Sequence, residues 1–162
     1  MSPAMDEDEQ ARTAGMKRLE PLIGEWEVEA VFPSRPNEVM SGGRSVFEWM
    51  RGGQLLIERS DAPDPFPESI SIVAFDPEKD AFTQHYFDSR GVIRLYAMTF
   101  NDGIWTLLRT SSDFSPLNFS QRFRGALTDD GDTIRGAWEA SDDGSDWKLD
   151  FDLTYRRARV KP

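Results

Sequence analysis

Residues 24–32 read GEWEVEAVF, and this stretch decides the fold. Apolar side chains at every second position from Trp26 to Phe32 alternate with the glutamates at positions 25, 27 and 29. A period of two is typical of a β-strand that places one face against a core and the other in water. Nine further short segments of similar pattern follow as far as Arg157, each ended by a turn signal. We therefore predict a meander of ten antiparallel strands.

Short polar turns join these segments. Asp-Gly pairs at 102–103, 130–131 and 143–144 mark hairpins, because aspartate and glycine tolerate the positive φ that such turns require. The connections leave no room for the crossover helices that parallel strands need. Closing the meander into an up-and-down barrel removes its exposed edges and encloses an interior. The fold class is therefore all-β, and the predicted strands are 24–32, 44–51, 54–60, 69–76, 81–88, 92–100, 104–110, 118–128, 133–141 and 147–157.

The first part of the chain differs in character from the barrel. Residues 1–15 carry an acidic run at positions 6–9 and little to bury, which predicts a flexible acidic tail or a frayed helix. Residues 16–23 predict a short helical turn that covers one end of the barrel, with Pro21 limiting its length. We expect one β-barrel domain over residues 16–162.

Composition excludes several classes of protein. The net charge of -10 arises from 29 acidic and 19 basic residues without a basic stripe, so we expect no nucleic-acid partner. The absence of cysteine excludes disulfides and cysteine nucleophiles. No apolar run is long enough for a membrane span, and the chain does not begin with a basic-then-apolar leader. We therefore expect a cytoplasmic protein with no membrane span.

The head of the first strand carries a resemblance to a known family. Gly24-Glu25-Trp26 matches the G-x-W that opens lipocalin and related calycin barrels. That resemblance implies a tryptophan at a closed barrel end, beneath a basic residue of the last strand, which Arg156 or Arg157 supplies here.

The chain as a whole also resembles the uncharacterised bacterial domains of the DUF1579 type. The matching stretches are 86–92, 121–123 and 138–147, within a resemblance that spans residues 24–157. It implies a calycin-like barrel without a settled activity. A ten-stranded barrel is also similar to fatty-acid-binding proteins and to the haem protein nitrobindin, but Val28 and Ala30 replace later glycines of the nitrobindin opening.

Cations and hydrogen-bonding rings within the strands are the candidate binding residues. Arg94 and Tyr96 share one strand face with Val92, Met98 and Phe100, so we expect this face to point inward. A buried guanidinium needs a partner, and a ligand carboxylate fits its fork. No catalytic residue is assigned. The predicted ligand-binding residues are Trp49, Arg59, Tyr86, Arg94, Tyr96, Arg109, Gln121 and Trp138.

Other reactive residues have simpler interpretations. We interpret Glu48 as a surface charge, the alternative being an internal carboxylate paired with Arg59. His85 is the only histidine and lies in mid-strand, so we expect no haem and no other cofactor. The acidic turns at 129–132 and 142–146 lack the full spacing of a calcium loop, so we predict hairpin turns and no metal.

Three functions remain open on the sequence. The first is a non-enzymatic barrel that binds a small apolar or aromatic molecule with an acidic or polar group. The second is a metal-free lyase, isomerase or cyclase that works in the same cavity. The third is a filled barrel that serves as an interaction module. The sequence leaves enzyme status and oligomeric state undecided, a homodimer being one alternative.

Overall fold

Ten strands close into one antiparallel barrel in the computed structural model, which describes residues 6–159. Every strand pairs with its neighbours in the sequence, and the first strand pairs with the last to complete the barrel. The predicted fold class is therefore confirmed. The elements are α1 (Glu7–Lys17), a 3-10 helix (Glu20–Leu22), β1 (Gly24–Val31), β2 (Met40–Trp49), β3 (Leu56–Asp61), β4 (Ser69–Asp76), β5 (Ala81–Asp88), β6 (Ile93–Asn101), β7 (Ile104–Arg109), β8 (Ser120–Leu127), β9 (Thr133–Ser141) and β10 (Lys148–Arg157).

The two ends of the barrel differ. The closed end carries the 3-10 helix that leads into β1, together with the turns that follow β2, β4, β6 and β8. The open end carries the loops that follow β1, β3, β5, β7 and β9. Neither helix within residues 6–159 is long and apolar enough to cross a membrane.

Trp26 seals the closed end. Its side chain is fully buried, and its indole Nε1 donates a hydrogen bond of 2.9 Å to the carbonyl of Leu22. The guanidinium of Arg157 lies 4.2 Å from the centre of the indole ring and donates to the carbonyl of Ile23 at 2.7 Å. The predicted basic partner of the tryptophan is therefore Arg157. Arg156 instead forms an ion pair with a glutamate of β1.

Helix α1 lies largely in the segment for which the sequence left open a flexible acidic tail or a frayed helix. Residues 7–17 are helical, so the helix begins before residue 16, where the predicted helical turn starts. The Asp6 side chain caps the helix by accepting from the Glu9 amide at 2.6 Å, and the acidic first turn suits the positive end of the helix dipole. Gly15 lies against the ring of Phe75, so the helix packs directly on β4.

Strand β2 also begins earlier, at Met40 instead of the predicted residue 44. The glycine pair at 42–43 indicated a loop, but it belongs to the strand. Gly42 adopts a φ of 92°, and the register of β1 against β2 shifts between Val28 and Ala30. A β-carbon on Gly43 would lie 2.8 Å from the Val28 carbonyl oxygen, so the close approach of the strands requires glycine.

The face of β6 that carries Arg94 and Tyr96 points into the barrel, together with the inward faces of β5, β7 and β8. Tyr96, Met98 and Phe100 are buried on β6, and Arg94, on the same face, is half-buried. The prediction that this face points inward is confirmed. The neighbouring strands contribute the buried side chains Phe82 and Gln84 on β5, Trp105, Leu107 and Arg109 on β7, and Gln121 and Phe123 on β8.

Replacing Trp26 by alanine tests how much this side chain stabilises the closed end of the barrel. We expect Trp26→Ala to lower the free energy of unfolding by about 3–5 kcal/mol, because it leaves a cavity and removes the bond to Leu22. Urea unfolding followed by circular dichroism measures this change.

Trp147→Ala is the matched control. Trp147 also stacks under an arginine, Arg122, at 4.2 Å, but it is only half-buried on the barrel exterior. Its loss should cost about 0.5–1 kcal/mol, the size of an exposed cation–π contact. Equal losses for the two variants would contradict the role given to Trp26.

Candidate functional site

The barrel holds a cavity of about 640 Å³ that reaches the open end. The loops after β1 and β3 contribute Phe32, Pro63 and Phe66 to its opening. Aromatic side chains of the inward strand faces form much of its wall, among them Trp105 and Phe123. The interior is therefore not filled by side chains, in contrast to the barrel expected of a simple interaction module.

Five of the eight predicted binding residues line this cavity: Tyr86, Arg94, Tyr96, Gln121 and Trp138. They form a connected wall. The ring of Tyr96 meets those of Tyr86 and Trp138 edge-on, with centroids 6.5 and 5.6 Å away. The hydroxyl of Tyr96 donates to Gln121 Oε1 at 3.2 Å, and burial raises the pKa of Tyr96.

Arg59 and Trp49 lie outside the cavity lining. Arg59 is on the outer face of β3, where its Nε donates to Glu48 Oε1 at 3.1 Å. Glu48 is thus a surface charge, as predicted, although it pairs with Arg59. Trp49 packs against the core near the closed end of β2. The assignment of Arg59 to the interior fails because Leu56 and Ile57 are both apolar and do not tell the two faces apart.

Arg109 points inward, but its charge is already paired with the carboxylate of Asp113. Its Nε and Nη2 donate to the two carboxylate oxygens of Asp113 at 3.0 Å each, and Nη2 also donates to the Ser115 carbonyl at 2.9 Å. The bidentate bond from Arg109 holds the pKa of Asp113 well below its usual range. Arg109 therefore fastens the loop between β7 and β8 and does not line the cavity.

Three polar atoms on the cavity wall have no hydrogen-bond partner within residues 6–159. They are Gln84 Oε1, Arg94 Nε and Trp105 Nε1, and each is buried. An unsatisfied buried donor or acceptor costs about 1–3 kcal/mol, so side chains arranged in this way favour a ligand or water that completes them. Arg94 is among the binding residues predicted from the sequence, whereas Gln84 and Trp105 are not.

Arg94 differs from the other arginines of the cavity. Arg44 and Arg90 also line it, but they form ion pairs with Glu25 and Asp88. None of the ion pairs found in residues 6–159 includes Arg94. Its guanidinium instead lies 6.0 Å from the ring centre of a cavity phenylalanine at position 119.

A cluster at the open end neutralises Arg90. Asp88 Oδ2 accepts from the Tyr86 hydroxyl at 2.8 Å and from Arg90 Nη2 at 2.7 Å. Burial alone would raise the pKa of Asp88, but the hydrogen bonds from Arg90 and Tyr86 outweigh it and lower that pKa to about 2. Burial also raises the pKa of Tyr86. The cluster therefore pairs the charge of Arg90 with the carboxylate of Asp88 near the opening.

Glu58 is the internal carboxyl that sequence analysis missed. It is 7% exposed and lines the cavity, where its Oε2 accepts from the Ser60 hydroxyl at 3.1 Å. That hydroxyl lies 2.5 Å from the hydroxyl of Ser45. Burial raises the pKa of Glu58 to about 7, although the two serines lower it. The sequence carries no clear signal for it, because Leu56 and Ile57 are both apolar and leave the inward face of β3 undecided.

His85 and the acidic turns lie away from the cavity. His85 is exposed on the outer face of β5, with its Nε2 3.3 Å from the Thr83 hydroxyl. Asp143 accepts from the amides of Ser145 and Asp146, which is hairpin chemistry. In the part of the chain that the structure describes, no three histidine, aspartate or glutamate side chains gather as potential metal ligands.

The raised pKa of Glu58 makes stability depend on pH. Between pH 4.5 and about 7, folded protein keeps the Glu58 proton that unfolded protein releases, so a rise in pH favours unfolding. We expect the free energy of unfolding of the wild type, relative to Glu58→Gln, to fall by up to about 3 kcal/mol across this window. Urea titrations at several pH values measure it.

Glu48→Gln serves as the control, because it makes the same change on the outer face. This variant should keep the pH dependence of the wild type. If the free energies of unfolding of the wild type and Glu58→Gln change in parallel with pH, folding does not raise the pKa of Glu58.

Comparisons with known proteins support the fold. No family model and no curated protein matches the chain, so the resemblance to DUF1579-type domains stays a prediction. The chain is similar in structure to Rv2717c from M. tuberculosis, with a TM-score of 0.58 and 13% identity over 90% of this chain and 98% of that one. A DUF3598 family protein of unknown function from Nostoc punctiforme PCC 73102 matches at a TM-score of 0.27 and 9% identity, covering 89% and 99% of the two chains. At these identities the likeness to Rv2717c shows a shared barrel fold.

Proposed function

We propose that the barrel binds one small, largely apolar or aromatic molecule with an acidic group, and that Arg94 holds that group. The observation that carries the proposal is the buried Nε of Arg94, which has no hydrogen-bond partner on a cavity wall. A guanidinium whose Nε lacks a partner can donate a charged hydrogen bond to a carboxylate. Arg90 and Arg109 are already paired with Asp88 and Asp113, which leaves Arg94 as the cation best able to receive it.

The rest of the cavity suits an apolar body. Tyr96, Phe123 and Trp138 contribute ring faces and edges to the cavity wall, and Leu107 adds an aliphatic surface. The volume of about 640 Å³ lies within the range of sites for small molecules. Because the whole chain carries a charge of -10, attraction of an acid must come from this local cation.

Replacing Arg94 tests the site with two pairs of probes. The acids are dodecanoate and 2-naphthylacetate, and the neutral analogues are their methyl esters. We expect Arg94→Met to weaken binding of an acid by about 1.5–3 kcal/mol, the size of a charged hydrogen bond, and to change binding of its ester little. Isothermal titration calorimetry measures all four affinities.

Arg59→Met is the matched control, because it removes an arginine of the outer face. Both acids should bind this variant as they bind the wild type. Failure of both acids to bind the wild type would contradict the proposal, as would equal losses for an acid and its ester in Arg94→Met.

A second candidate function is a metal-free lyase, isomerase or cyclase. The observation that favours it is Glu58, a cavity carboxyl with a pKa of about 7. A carboxyl that titrates near neutrality can accept a proton from a bound molecule and return it at another position. The indole N–H of Trp105, which lacks a partner, could stabilise negative charge that develops on the same molecule.

Deuterium incorporation separates this candidate from simple binding. A molecule that co-purifies with the protein is identified by native mass spectrometry, extracted, and incubated with fresh protein in D₂O. An enzyme using Glu58 should place deuterium on carbon, and Glu58→Gln should not. A recovered molecule that stays unlabelled with the wild type would leave binding as the function.

A further inference from the structure

We propose that the outer surface of strands β4 to β7 is the site at which two copies of this chain associate. This surface consists of every second residue within 70–74, 83–87, 93–99 and 106–108, and we call it the uncharged face. It carries no aspartate, glutamate, lysine or arginine, and eight of its twelve side chains are those of isoleucine, leucine, phenylalanine or alanine. The inference does not depend on the proposed binding function, because this face lies on the outside of the barrel.

The strand register makes the uncharged face continuous. Ile70 pairs with Phe87 across β4 and β5, and Phe87 pairs with Ile93 across β5 and β6. Leu95 lies two residues further along β6, and Leu108 on β7 pairs next to it. Between 36% and 43% of the surface of Ile70, Phe87, Leu95 and Leu108 is exposed. A continuous apolar patch of this kind on a water-exposed sheet marks an interaction site.

The other strands differ from β4 to β7 in this respect. Each of the six has an exposed charged residue within its span, as shown by Glu27 on β1, Glu48 on β2, Arg59 on β3, Arg124 on β8, Arg135 on β9 and Asp152 on β10. Since 30% of the whole chain is charged, the lack of charge is confined to four adjacent strands. The barrel therefore has one outer side that can be covered without burying a charge.

Phe114 is a second observation that points to a partner on this side. Its side chain is 86% exposed, although the loop that carries it is bonded to β6 on both sides of it. Asp113 Oδ2 accepts from the Leu95 amide at 2.8 Å, and Ser115 Oγ accepts from the Ile93 amide at 3.3 Å. Phe114 therefore lies beside the open-end edge of the uncharged face. Aromatic side chains in such positions are enriched in protein interfaces.

Charge favours a second copy as the partner. The residues that border the uncharged face are already paired within one copy, Arg59 with Glu48 at 3.1 Å and Arg122 with Glu139 at 2.9 Å. Two copies can therefore meet here without placing an unpaired charge opposite its equivalent. A basic partner would need carboxylates, which this face lacks, and an anionic membrane would be repelled by the net charge of -10.

The size of the uncharged face matches the apolar centre of a dimer interface. Four strands at about 4.8 Å spacing and up to seven residues at about 3.3 Å each cover roughly 400 Å² in projection. A stable interface buries about 800 Å² on each partner, with an apolar centre and a polar rim. The face supplies such a centre, and Phe114 and the bordering ion pairs supply the rim. A two-fold axis would bring the same patch of both copies into contact.

Sedimentation equilibrium tests the association. We expect the wild type to form dimers within a range of about 1–100 µM, and a rise in salt concentration to strengthen them, because salt screens the repulsion between two acidic chains. Leu95→Arg places a charge at the centre of the interface and should raise the dissociation constant at least tenfold, to about the monomer limit of this range.

Leu149→Arg is the matched control. Leu149 is 45% exposed on β10, close to the 43% of Leu95, so the same substitution is made at equal exposure outside the uncharged face. This variant should dimerise as the wild type does. Circular dichroism shows which variants are folded. Leu108→Arg replaces Leu95→Arg if the latter is unfolded, and Phe114→Ala decides if both are, because its highly exposed side chain is not needed for folding.

Three results would overturn the inference. The first is a wild type that stays monomeric over the whole range, whether or not it binds lipid vesicles or another protein. The second is a dimer that persists in the folded variants of the uncharged face, which means that the copies associate through another surface. The third is an equal loss of the dimer in Leu149→Arg, which means that added positive charge, wherever it lies, prevents association.

Discussion

The contact between Trp26 and Arg157 is the constraint on which the rest of the barrel depends. It joins the first strand to the last strand, and the arginine also bonds to the carbonyls of Pro21 and Ile23, which lead into β1. One end of the barrel is thereby filled with packed side chains from the helical segment and the strands. Because the cavity lining extends to the loops of the other end, the interior forms a pocket that opens there.

Inside that pocket, structural residues differ from candidate binding residues in whether their polar atoms already have partners within the protein. Arg109 and Arg94 both point inward from adjacent strands of one sheet. Arg109 donates from Nε and Nη2 to the two carboxylate oxygens of Asp113 and fixes a loop, while Arg94 retains an unused Nε. The same residue type therefore has two roles, and the difference lies in a carboxylate within reach.

The polar groups of the cavity differ in kind. Arg94 near the mouth retains an unused Nε, Gln84 and Trp105 retain incomplete hydrogen bonds, and Glu58 is a carboxyl whose burial raises its pKa to about 7. The proposed binding of an acid depends on Arg94, and an enzymatic function would depend on Glu58.

The sequence by itself determined the architecture, because the period of two and the Asp-Gly turns are local properties of the chain. It also placed Trp26, Arg94 and Tyr96 correctly, since their strands have one clearly apolar face. Only the tertiary structure decided which face of β3 points inward, because both Leu56 and Ile57 are apolar and a shift of one residue exchanges Glu58 with Arg59. The helical state of residues 7–17 depends in the same way on packing against β4, and the unused atoms of Gln84 and Trp105 depend on which side chains from distant strands come within bonding distance.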